Sequence, residues 1–106
     1  MSSEQQAGRP DIKVIAQQET EIREPSLYHV VLLNDDFTTM EFVVEAVQRV
    51  FFRTPAEATR IMLEVHNKGR GVAGTYVHDI ARTKAERVMQ MAFKKNYPLK
   101  CILEKA

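Results

Sequence analysis

Residues 27–33 (LYHVVLL) are rich in aromatic and β-branched side chains, and the segment stops at the polar run Asn34, Asp35, Asp36. This is the pattern of a strand entering a tight loop. From Met40 the spacing turns helical, with Met40, Val43, Val44, Val47, Val50 and Phe51 recurring at i, i+3 and i+4. Thr38 and Glu41 stand three residues apart ahead of that stripe, which predicts a capping box and a helix over about 39–52. Thr54, Pro55 and Glu57 repeat the logic, as N-cap, first helical residue and box-closing acid. The second helix is expected to run to Lys68 behind the stripe Ala58, Ile61, Met62 and Val65, with Gly69 placed where a left-handed residue ends a helix. Residues 71–77 predict a strand in which Gly74 marks a bulge or a close backbone approach. A third helix over about 78–95 has a narrow apolar side (Ala81, Ala85, Val88, Ala92) flanked by Ile80, Met89 and Met91. Arg82, Lys84, Arg87, Lys94 and Lys95 give that helix a basic face. Pro98 bars its continuation, and residues 99–103 predict a last strand.

The order β-α-α-β-α-β predicts an α+β domain of two layers, a three-stranded sheet, expected to be antiparallel, packed against three helices. It occupies residues 26–106. Residues 1–25 contain no Phe, Tyr, Trp or Leu and are rich in Glu, Gln, Ser and Ala, the composition of a flexible, disordered N-terminal extension. The chain of 106 residues holds one small core and has no room for separate cofactor and substrate domains. Its 15 Lys and Arg against 14 Asp and Glu leave a net charge of +1, without the basic excess that nucleic acid or an anionic membrane surface demands. The lone Cys101 forms no internal disulfide, and three scattered histidines supply no zinc-ligand spacing, so no metal is implied and a reducing compartment is expected. No stretch approaches the ~18 apolar residues of a membrane span, and the chain opens without a leader pattern; a soluble, cytoplasmic protein is expected.

Candidate chemistry begins at Asn34, Asp35 and Asp36, three hydrogen-bonding side chains between a strand end and a helix start. Capping of the helix accounts for one or two of them. His66 borders the apolar stripe of the second helix, where a lone histidine is usually a packed residue. If the first two helices form an antiparallel hairpin whose open end faces the loop, His66 joins the three loop residues in a polar cluster beside Met40, Val43, Met62 and Val65. Acceptors next to thioethers and branched carbons suit a cation attached to an apolar group, such as a free protein N-terminus beginning with a large hydrophobic residue. Two rival readings are a small acid-base hydrolase using Asp35 or Asp36 with His66, and a nucleic-acid-binding module using the basic face of the third helix. The first lacks a glycine-rich phosphate loop or a nucleophile motif, and the second lacks interleaved aromatics.

Residues 33–43 (LNDDFTTMEFV), 58–66 (ATRIMLEVH), Thr83 with Lys84, and 98–104 (PLKCILE) stand at separations that resemble the bacterial ClpS adaptor family across residues 26–106. The resemblance implies an adaptor, a binding module with no catalytic residue and no cofactor. It would recognise N-degron substrates through an N-terminal Phe, Tyr, Trp or Leu. It would deliver them to the N-terminal domain of the AAA+ unfoldase ClpA, which works with the peptidase ClpP. Carried onto this chain, Asn34, Asp35, Asp36 and His66 would bind the substrate's N-terminal amine. Thr38, Met40, Val43, Met62, Val65 and Leu99 would form the side-chain pocket and its rim, Met40 excluding β-branched residues. Asp79 and Lys84 would touch the unfoldase, the extension would engage it during hand-off, and a monomer is expected. Three departures stand out: Thr39 where proline is common, Asp79 where glutamate is common, and Phe37 in place of a frequent tyrosine. The first predicts a looser loop, because a preset φ is lost.

Overall fold

The computed structural model describes residues 24–106. Most of the expected extension lies outside them. Strands β1 (Leu27–Leu33), β2 (Arg70–Val77) and β3 (Lys100–Lys105) and helices α1 (Met40–Phe51), α2 (Pro55–Lys68) and α3 (His78–Lys94) follow in the order β-α-α-β-α-β. The sheet order is β2-β1-β3, with both pairings antiparallel. The α+β class, the element count and the pairing sense agree with the sequence pattern.

The most apolar strand takes the centre because it is covered on both sides. Val30, Val31 and Leu32 are fully buried. Val30 and Leu32 point into the core, where they meet Phe42, Val43, Ala46, Val47 and Val50 of α1, Ala58, Ile61 and Val65 of α2, and Ala81, Ala85, Val88 and Ala92 of α3. Each of the Val, Leu, Ile and Phe side chains among these contributes about 1.5–3 kcal/mol on burial. Val31 faces the other way, in one row with Val72 and Ile102. Arg70, opposite Leu33, reaches diagonally across β1 to Glu104, opposite His29. Their bidentate pair, Nη1 to Oε2 at 2.8 Å and Nη2 to Oε1, closes that face above Val31.

Two features of β2 set where α2 lies. A Cβ on Gly71 would stand 2.8 Å from Val65 Cγ2 and 3.2 Å from the Ile61 carbonyl oxygen, so glycine is what lets the strand approach α2 this closely. The bulge falls one residue before Gly74: Val30 pairs with Gly74 and Val31 with Val72, leaving Ala73 as the extra residue. The Ala73 carbonyl accepts from Arg53 Nε at 3.0 Å. Gly74 itself lies against the Tyr76 ring, which the Cβ of any other residue would strike.

The second helix begins as expected. Thr54 Oγ1 accepts from Glu57 N at 3.2 Å and Glu57 accepts from Thr54 N at 3.0 Å, completing the capping box. It ends at Gly69 with φ of 86°, whose N–H donates to the Val65 carbonyl. The first helix departs from expectation. Its N-cap is Thr39, not Thr38, with Thr39 Oγ1 accepting from Phe42 N at 3.1 Å. No capping box forms between Thr38 and Glu41. The expected looseness is absent as well, since Thr39 holds φ at −75°, within the range proline would impose, and adds a capping oxygen that proline lacks.

Candidate functional site

The loop after β1 is built around one carboxylate. Asp35 Oδ1 accepts from Phe37 N at 2.8 Å and from Thr38 N at 2.7 Å, while Oδ2 accepts from the Thr38 hydroxyl at 2.8 Å. This is why Thr38 does not cap α1: Asp35 already holds its amide and its hydroxyl. Desolvation raises the pKa of Asp35, but the bonds from Thr38 and Phe37 outweigh it and leave the carboxyl below its ordinary value. The loop is also tied to the end of α2 by the bond from Asn34 N to the Gly69 carbonyl at 2.9 Å. The left-handed Gly69 end of α2 thus anchors the start of the loop, and the Thr39 cap anchors its end.

Between the loop and the α1/α2 pair lies a hollow of about 440 Å³. Asn34, Asp35, Asp36 and Thr38 line it from the loop, Met40 and Val43 from α1, and Met62, Val65 and His66 from α2. Nine of the ten residues that the sequence resemblance assigns to a pocket therefore share one cavity. The tenth, Leu99, is 4% exposed and belongs to the core. Phe37, Thr39 and Glu41 also line the hollow and were not singled out as pocket residues from sequence. All three flank the polar run, so proximity to it was the available signal. Three carboxylates and no lysine or arginine stand among the lining residues, so the potential inside favours a cation. The floor of Val43 and Val65 is buried, and Met40, at 41% exposure, forms part of the rim.

The geometry does not assemble an acid-base pair. Asp35 spends its oxygens on the loop, and among the described residues His66 makes no hydrogen bond to either aspartate. The basic face of α3 is broken too. Lys84 turns inward, its Nζ donating to the Val50 carbonyl at 2.8 Å and lying 4.8 Å from the Phe52 ring centroid. Desolvation, with help from Arg87, lowers the pKa of that ammonium. Asp79, in the first turn of α3, is 91% exposed at its side chain, with His78 Nδ1 3.5 Å away. Cys101 faces the core side of β3, where burial pushes its thiol up to about 12. Among the described residues no helix is long and apolar enough to cross a membrane, and no group of three His, Cys, Asp or Glu side chains gathers as a metal site.

The family model described as ATP-dependent Clp protease adaptor protein ClpS matches residues 23–102. An ATP-dependent Clp protease adapter protein ClpS of Acetivibrio thermocellus is 51% identical over 94 residues, covering 87% of this chain and 95% of its own. The protein of the same description from Burkholderia mallei is 50% identical over 98 residues, covering 92% of this chain and 94% of its own. Among solved structures, Agrobacterium tumefaciens ClpS2 bound to L-phenylalaninamide superposes with a TM-score of 0.76 at 35% identity, covering 78% of this chain and all of that one. The matched family and both relatives are adaptors by description, so the class is an adaptor and not an enzyme. The chain belongs to the ClpS family of Clp protease adaptors.

Proposed function

We propose that this adaptor binds proteins through a free N-terminus beginning with Phe, Tyr, Trp or Leu and hands them to the ClpA unfoldase for degradation by ClpP. The observation that carries the reading is the hollow itself, with acceptors and carboxylates on one side, methionine and valine on the other, and no cation in its lining. The Agrobacterium relative's ligand, L-phenylalaninamide, has a primary amine one carbon from a benzyl group, which is the shape such a hollow suits. In this reading Asn34, Asp36 and His66 face the ammonium and first peptide group, Asp35 holds the loop that presents them, and Met40, Val43, Met62 and Val65 receive the side chain. Thr38 stands at the rim and Leu99 supports the pocket from the core. The adaptor works in the cytoplasm as a monomer, with its N-terminal extension engaging the unfoldase and Asp79 on the unfoldase-facing side.

The magnitudes are compatible with a short ligand. Burying a Phe or Leu side chain contributes about 1.5–3 kcal/mol, and each charge-assisted hydrogen bond about the same, against an association cost of at least about 4 kcal/mol. With three such bonds, the upper end of these ranges nets about 8 kcal/mol, which is micromolar affinity. Fluorescence anisotropy of labelled peptides that differ only in the first residue tests it. Peptides starting with Phe and Leu are expected to saturate, and those starting with Ile and Gly are not; equal binding by all four, or by none, overturns the reading.

Selectivity should reside in Met40. This residue, with Glu41 and Met62, lines both the hollow and a second one of about 420 Å³ that Val44 completes. Met40→Ala is expected to open one toward the other. Peptides beginning with Ile or Val are expected to gain roughly tenfold in affinity, the scale on which a pocket reads one or two carbons. Unchanged discrimination in the same binding assay removes Met40 from this role.

A further inference from the structure

Met40 borders two spaces. It lines the hollow together with Val43, three residues on, and the second hollow together with Val44, four residues on. Both spacings make neighbours on a helix surface, so α1 presents Met40 as a ridge with an apolar residue to either side. Met62 of α2 is likewise common to both spaces. Val44 and Met62 are only partly buried, and both pack against the core. Glu41 is the one charged residue lining the second hollow, which is therefore an apolar trough without a cation. Thioether walls adapt to side chains of different shape.

The path of a bound substrate decides what this trough meets. Asn34, Asp36 and His66 hold the ammonium on the polar side of the first hollow, which leaves the methionine side to the departing chain. Met40, in its role of turning away a branch at the first residue's Cβ, stands against that atom, where the substrate backbone leaves the hollow. An extended peptide points successive side chains to opposite faces, so the second residue faces away from the adaptor and the third returns to it about 6.8 Å further along. That advance carries the third side chain past Met40. We infer that the second hollow is a subsite for the third residue of the substrate, and that it takes a large apolar side chain such as Leu, Met or Phe. The inference rests on the N-terminal recognition reading above and deepens it, adding a second position that the adaptor reads. What commits the trough to the substrate is its continuity with the first hollow through Met40, Glu41 and Met62.

The test titrates the full chain into labelled peptides that begin Phe-Ser-Ser-Ser, Phe-Leu-Ser-Ser, Phe-Ser-Leu-Ser and Phe-Ser-Ser-Leu and are otherwise identical. Leucine at the third position is expected to raise affinity roughly fivefold over the all-serine peptide, a fraction of the value of full burial because the trough is open. At the second or fourth position it is expected to gain less than about twofold, since alternation turns those side chains away. Val44→Gln removes the apolar wall while keeping a good helix former, and it is expected to abolish the third-position gain while affinity for the all-serine peptide, which leaves the trough empty, changes less than about twofold. Val44→Thr, which keeps the branched shape, is the second variant, and melting curves of both confirm that the helix persists. Equal affinity for the third-position and all-serine peptides overturns the subsite. So does an equal gain at the second or fourth position, which marks a contact without register, or a third-position gain that survives both Val44 variants. In each of these outcomes the Phe-initiated peptides still bind and the N-terminal reading stands; binding of no peptide sinks that reading and the subsite together.

Discussion

Acetylating the N-terminus of a Phe-initiated peptide is expected to lower its affinity for this adaptor by roughly a hundredfold or more, the equivalent of losing two charge-assisted hydrogen bonds at about 1.5–3 kcal/mol each. The acetyl group removes the positive charge and two donors. It leaves Asn34, Asp36 and His66 facing a neutral amide in a hollow whose lining holds three carboxylates and no lysine or arginine. The benzyl side chain still fits, so the hydrophobic contribution survives and the loss isolates the polar half of the site. The same argument fixes a pH profile. A peptide α-amine titrates near 7.7–8.0, so if the ammonium is the bound form, affinity is flat below that range and falls about tenfold per unit above it. On the acid side, the loop persists below the ordinary carboxylate range, because the bonds to Asp35 hold its carboxyl ionised there. Titration calorimetry between pH 5 and 9.5 with the free and acetylated peptides checks both statements. Equal affinity for the two peptides, or a flat profile through pH 9.5, rejects ammonium recognition.

Much of this was legible in the chain because local rules and tertiary context agree. The Thr54 box, the Gly69 end and the apolar stripes of the three helices carry their own signals, and each appears as expected. Where expectation and structure part, a neighbour that local rules do not see has intervened. Two adjacent threonines each read as an N-cap; Asp35 took Thr38, which left Thr39 to cap the helix. Lys84 reads as one residue of a basic helix face, yet the Val50 carbonyl and the Phe51 and Phe52 rings, more than thirty residues earlier, and the Tyr76 ring of the preceding strand stand within its reach. Leu99 belongs to the same buried cluster as Val43 and Val65, which line the hollow, but is not itself among the lining residues. Of the two expectations for Gly74 the close approach is met, against the Tyr76 ring, and the bulge falls one residue earlier at Ala73. The Lys84 bond to Val50 is a long-range pairing, and the Asp35–Thr38 and Gly74–Tyr76 contacts are side-chain choices within a loop or strand; hydrophobic periodicity reports neither.

Replacing Asp35 should produce the largest effect of any single substitution in the loop, and on two observables together. Asp35→Ala frees Phe37 N, Thr38 N and the Thr38 hydroxyl, three donors now held by one carboxylate. The site is only half-buried and water replaces part of what is lost, so the expected cost is about 1–2 kcal/mol of stability, below the full value for three such bonds. Peptide affinity is expected to fall roughly tenfold or more, because Asn34 and Asp36 are carried by the backbone that Asp35 organises, and a displaced donor or acceptor costs nearly a whole hydrogen bond. Asp35→Asn keeps an acceptor for the two amides and lets the Thr38 hydroxyl reverse, so it should fall between wild type and Asp35→Ala. Asp36→Asn separates the two roles: it is expected to lower affinity with the melting temperature unchanged. The linkage follows the sign for a depressed carboxyl. The native pKa of Asp35 lies below its unfolded value of about 3.9, so its contribution is fully present above that pH and disappears as the pH falls through the native value. The stability gap between wild type and Asp35→Ala should therefore be constant from neutral pH to about pH 5 and close on further acidification. Thermal melts of the three loop variants from pH 2.5 to 7 read this directly. A gap that does not close in acid, or an Asp35→Ala protein that melts and binds like wild type, assigns the carboxylate to direct contact with the substrate or to no role, and removes it as the organiser of the loop.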